Sequence, residues 1–172
     1  GRTNLFSNLV YFPLPTDAPE FHGHWQKIGG QYALSALKKC KSPTKVIESE
    51  CVRNGVHNLY WVRVPGYFCI FLVKPPLANP IGGGPARIRG EVNSITFAKS
   101  EDLHLANAVL NSSVYYHFFC VYTDTRHLNP TDVKDFPIDI NCLSEKRHPL
   151  IELSKLLIKN FKRNTSSVRK SG

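Results

Sequence analysis

Leu110–Asp139 reads LNSSVYYHFFCVYTDTRHLNPTDVKDFPID, and its reading organises the rest of the chain. Just upstream, Leu103, Ala106, Val109 and Leu110 recur at helical spacing. Asn111-Ser112-Ser113 interrupts that helix, and Ser112 is placed to cap a second one, because its hydroxyl accepts a free N–H of the first turn. Val114, Tyr115, Tyr116, Phe118, Phe119, Val121 and Tyr122 make the second helix apolar on nearly every side, which predicts a central position. A polar loop with Arg126 and His127 follows. Asn129-Pro130-Thr131-Asp132 then reads as a cap, a proline at the first helical position and an acid in the first turn. Phe136-Pro137 ends that short helix, since a residue before proline avoids the α region.

Upstream, Gln31–Lys41 is predicted as an amphipathic helix and Ile47–Val52 as a strand. Asn58–Val64 and Tyr67–Val73 are predicted as a strand pair turning tightly at Pro65-Gly66. Lys74–Arg89 reads as a long Gly/Pro-rich loop and Asn93–Ala98 as another strand. The last helix is expected from about Pro149 to Phe161, with Leu150, Leu153, Leu157 and Phe161 on one stripe and Lys155, Lys159 and Lys162 elsewhere. Strands in the middle and helices at both ends predict a single α+β domain: a mostly antiparallel, curved sheet, a central aromatic helix and a basic C-terminal helix. The division expected is 1–148 for the main body and 149–172 for the helix and tail packed on it.

The chain has 172 residues, 42% hydrophobic and 11% aromatic, enough for one well-formed core. No apolar run is long enough for a membrane span and no signal-peptide pattern stands at Gly1, so a cytoplasmic protein is expected. Met is absent even at position 1, which reads as a piece excised from a longer protein. Net charge is +9, and +6 of it lies from Glu145 onward, where Lys146, Arg147, Lys155, Lys159, Lys162, Arg163, Arg169 and Lys170 face two acids. Such an excess favours a polyanionic partner, nucleic acid above all; plain solubility is the alternative. The cysteines (Cys40, Cys51, Cys69, Cys120, Cys142) form no C-x-x-C pair and read as reduced, mostly buried thiols. His22-Gly23-His24 lacks the further ligands that a metal site needs.

The 110–138 motif resembles the target-recognition (specificity) domain of adenine-specific DNA methyltransferases from type II restriction–modification systems. That pattern is a helix ending in LNSS, an aromatic run, SDGRHL, a short helix and FPI. Here it stands as Leu110–Ser113, Tyr115–Tyr122, Thr123–Leu128 and Phe136–Ile138. Thr125 replaces a frequent glycine, and would be strained if that position has positive φ. Weaker likenesses lie upstream, at Arg2–Phe6, at Lys27–Gly30 with Ala33–Lys39, at Leu59–Trp61 and at Lys74–Pro76. The resemblance implies duplex DNA as a partner, together with a methyltransferase catalytic domain in the same polypeptide. S-adenosylmethionine would bind in that other domain, with no cofactor in this portion.

The motifs nearest to a catalytic centre fall short of one. Asn79-Pro80-Ile81-Gly82 lacks the second proline and the aromatic that a base-methylating motif requires. Asp132-Val133-Lys134 lacks an upstream acid for a nuclease metal. DNA-contacting candidates are Arg126, His127 and Asn129 in the motif loop and Lys74, Arg87 and Arg89 in the 74–91 loop. Arg53 and His57 between predicted strands, and Lys155 and Lys159 on the last helix, complete the set. Arg126 suits bidentate reading of guanine; alternatively it pairs Asp124 or Asp135 while His127 bonds a carbonyl within the turn. In that case the motif braces a platform, and the loops 74–91 and 52–58, the latter with Arg53 and His57, are the better candidates for reading bases. Two other functions stay open: a single-stranded nucleic-acid module stacking bases on exposed Tyr60, Trp61, Tyr67 or Phe68, and a protein–protein module using the 149–163 stripe.

Overall fold

The computed structural model describes Ser35 and residues 45–78, 84–88 and 90–164. The predicted helix at 31–41 (apart from helical Ser35), the segment 1–27, His22, His24, Cys40, Arg89 and residues 79–83 lie outside the described residues. From position 45 the described chain is an α+β domain. Strands β1 (His57–Val62), β2 (Phe71–Leu72), β3 (Leu77–Ala78), β4 (Arg87–Ile88) and β5 (Val92–Phe97) precede helices α1 (Ser100–Leu110), α2 (Ser113–Tyr122), α3 (Pro130–Lys134) and α4 (Arg147–Asn164).

Among the described residues all strand pairs are antiparallel. β1 is central in the order β2-β1-β5, with Trp61 opposite Phe71 and the six residues of β1 opposite Phe97 back to Val92. One face of this sheet carries Leu59, Trp61, Phe71, Ile95 and Phe97, all buried. Alternate residues of a strand share a face, so the β1 and β5 patterns build one apolar wall for α1 to cover.

The aromatic helix is the hub that its composition predicts. Ser112 caps α2 through its Oγ, which accepts the Tyr115 N–H at 3.4 Å. Tyr115 meets Phe71 and Phe136 edge-on at centroid distances of 5.3 and 5.1 Å, and Phe118 meets Phe136 and Tyr122 at 5.0 and 4.9 Å. Trp61 extends the cluster through Phe71 at 5.7 Å. Each such pair adds about 0.5–1.5 kcal/mol beyond the area it buries. The cluster therefore joins sheet, α2 and the Phe-Pro segment into one core.

A buried polar ladder runs beside it. Ser154 of α4 and Asn107 of α1 are almost fully buried, and Asn107 Nδ2 donates to Ser154 Oγ at 2.7 Å. Asn111 Nδ2 donates to Asn107 Oδ1 at 3.0 Å. The Asn111 amide also takes the Phe71 N–H and donates to the Phe71 carbonyl, at 3.0 and 3.1 Å. A side chain thus does for β2 what a neighbouring strand would do. His104 Nδ1 lies 3.0 Å from Ser154 Oγ and completes the contact between α1 and α4. Residues 104, 107 and the C-cap residue 111 share a helical face, so one side of α1 and its cap meets both Ser154 and β2.

Several local expectations are corrected. Ile47–Glu50 is a 3-10 turn, not a strand, because its flanks bridge different partners: Val46 pairs Pro137 and Cys51 pairs Phe97. Among the described residues no single strand lies alongside to form a ladder. The expected tight turn at Pro65-Gly66 is a loop from Arg63 to Ile70, and only Phe71–Leu72 pairs with β1. Burial of Cys69, fully shielded, pulls the chain inward before it can pair. The 74–89 loop contains an unanticipated two-stranded ribbon, with Leu77 opposite Ile88 and Ala78 opposite Arg87. The last helix starts at Arg147, where the side chain binds Glu101 and Asp102 of α1 at 3.0 and 2.9 Å. Leu153 is 57% exposed and Ser154 takes the buried position beside it. Among the described residues no helix is long and apolar enough to cross a membrane.

Candidate nucleic-acid interface

Leu128 fixes the motif loop to the sheet. Its side chain is buried, its N–H donates to the Arg63 carbonyl at 2.6 Å, and its carbonyl accepts from Trp61 Nε1 at 2.9 Å. Arg63 N–H in turn donates to the Glu91 carbonyl at 2.9 Å, just ahead of β5. Residues 123–129 therefore sit at the Val62 end of the central strand, next to Arg63.

Within the loop, Asp124 is the organiser. Its Oδ1 accepts the backbone N–H groups of Arg126 and His127, both at 2.8 Å, and its Oδ2 lies 2.9 Å from His127 Nδ1. These bonds, those from His127 first, draw the Asp124 pKa down to about 2. Thr125 bridges the turn with φ of 60°, in the left-handed region that favours glycine. Strain of the order of 1–2 kcal/mol follows for a β-branched residue there. On the far side, Asn129 is the N-cap of α3 and donates its N–H to Asp132 Oδ2 at 2.8 Å.

The two roles open for the loop separate by residue. His127 braces, though by Asp124 rather than by the carbonyl expected of it. Arg126 contacts Asp124 only through its backbone; its guanidinium is exposed and has no hydrogen-bond or ion-pair partner among the described residues. Arg63, absent from the sequence-derived candidates, is exposed as well, and its carbonyl holds Leu128, two residues beyond Arg126. It lay inside a predicted strand ending at Val64; the signal that identifies it is its place just before Pro65-Gly66, at the mouth of a loop.

The other candidates divide among three places. Arg87 is exposed on β4, shortly before the Gly90-Glu91 turn that starts β5, and so leads toward the Arg126 end. Arg53 is exposed next to the opposite end of the sheet, where Val52 N–H donates to Thr96, and exposed Lys74 leaves β2 in that direction. His57 is half-buried on the helix-facing side of β1, opposite Phe97, so it stands within the sheet rather than on a loop. Burial first, then Lys155, lowers the pKa of His104. Lys155 and Lys159 are exposed on α4, and Lys155 binds Glu152 at 2.8 Å.

Of the aromatics considered for stacking, Trp61 is buried and Tyr60 half-buried, whereas Tyr67 is fully exposed and Phe68 stacks on Tyr116 at 4.5 Å. No protein-family model, curated protein or solved structure matches this chain. The functional reading therefore rests on the motif and on this geometry.

Proposed function

We propose that this domain docks duplex DNA as the target-recognition portion of an adenine-specific DNA methyltransferase of a restriction–modification system, using the end of the sheet that holds Arg63 and Arg126. The observation that carries the reading is the Arg126 guanidinium, unpaired among the described residues, on a loop whose backbone is tied by Asp124 and clipped to the sheet by Leu128. Fixing the loop before binding removes part of the ordering cost of recognition. A planar guanidinium at such a tip matches guanine O6 and N7, or a phosphate. Methyl transfer belongs to a separate catalytic domain that binds S-adenosylmethionine, and the role of this domain is to set the DNA in register for it.

Anisotropy of a labelled duplex, titrated at rising salt, tests the proposal. The expected result is binding that declines steeply with ionic strength. Arg126→Ala is expected to weaken it by about 1–3 kcal/mol if the guanidinium reads a base pair. Binding that is undetectable at low salt, or insensitive to salt, sinks the reading.

A further inference from the structure

Between β1 and β2, the loop 63–70 carries a second feature on the same side of the molecule. Its two flanks are anchored: the Arg63 carbonyl holds Leu128, and Cys69 is fully buried, close enough for the charge of Asp132 to bear on its thiol. Phe68 stacks on Tyr116 of α2. Tyr67, between these anchors, is 101% exposed, and a Cβ added at the preceding Gly66 would meet nothing within 4 Å. Val64 and Ile70 of the same loop are each 48% exposed. An aromatic ring held out on an anchored tip loses contact with its own core and gains none in return.

We propose that Tyr67 is a stacking platform for an unpaired base of bound nucleic acid, with Arg63 and Arg126 contacting the adjoining phosphates. This rests on the nucleic-acid reading above and deepens it. The charge pattern selects the occupant. The clipped loops present two exposed guanidiniums, while the nearby Asp124 carboxylate is already occupied by two backbone amides and His127. A polyanion bearing flat π faces meets both features at once, and stacking tolerates any base. An unpaired base offers its face without the cost of breaking a pair.

The test uses the full chain with three labelled probes: an intact duplex, the same duplex with one unpaired adenine, and the single strand. The duplex with the unpaired base is expected to bind about tenfold tighter than the intact one, toward the low end of the range for one stacked base. Tyr67→Ala is expected to erase that difference and Tyr67→Trp to keep it. With 2-aminopurine as the unpaired base, emission is expected to fall on binding the wild type and not the Tyr67→Ala variant. Equal affinity for intact and unpaired-base duplexes, with salt-dependent binding retained, overturns the stacking role alone. Binding to none of the probes removes the nucleic-acid reading as well. Self-association in the absence of nucleic acid that Tyr67→Ala abolishes assigns the tip to a second copy of the chain and overturns the proposal.

Discussion

Asp124 shows how one short side chain orders a whole loop. Two backbone amides and an imidazole converge on its carboxylate, and its pKa falls from 3.8 to about 2. The folded value lies below the unfolded one. The linked stabilisation is therefore present above 3.8 and is lost as pH falls through about 2. An NMR titration of the Asp124 carboxyl is expected to show its midpoint near 2, and Asp124→Asn to remove the corresponding change in the Arg126 and His127 amide signals. A midpoint at the ordinary value would mean that the loop is untied. The strain at Thr125 belongs to the same knot: the carboxylate closes a turn that the left-handed residue alone disfavours.

Elements follow the sequence most closely where one rule acts alone. The helix at 103–110, the Ser112 cap and the strand at 93–98 were legible because periodicity and capping chemistry agree there. Legibility failed where a tertiary partner decides. Ile47–Val52 has the composition of a strand, yet its ends serve two different segments. Leu153 falls on the apolar stripe by spacing, yet Ser154 takes the buried place because Asn107 stands opposite. Asn111 looked like a mere interruption, although its amide pairs the backbone of Phe71, 40 residues earlier. The motif loop itself was visible, but its brace was not, since the partner of a given carboxylate cannot be read from spacing alone. Ser154→Ala is expected to strand the buried Asn107 amide and cost about 1–3 kcal/mol. Denaturant unfolding measures this, and a change below half of the lower figure would mean that α4 docks without the ladder.

At the scale of the whole molecule, the core makes two thiols, Cys51 and Cys69, inert. Burial, the leading cause, raises Cys69 to about 12 and Cys51 to about 11. Thiolate is the reactive form, so both are expected to resist alkylation at neutral pH until the fold opens. Mass spectrometry after iodoacetamide treatment is expected to find them labelled at the unfolding rate; rapid labelling under native conditions would show that β2 and the 3-10 turn open locally. The polar ladder gives that opening a reporter. The Phe71 amide hydrogen is held by the side chain of Asn111, the C-cap residue of α1, not by a neighbouring strand. Its exchange with deuterium thus tracks the separation of helix from sheet, while the amides of the long β1–β5 pairing track the sheet itself. Two exchange rates from one spectrum distinguish a helical layer that lifts away as a unit from a domain that melts all at once.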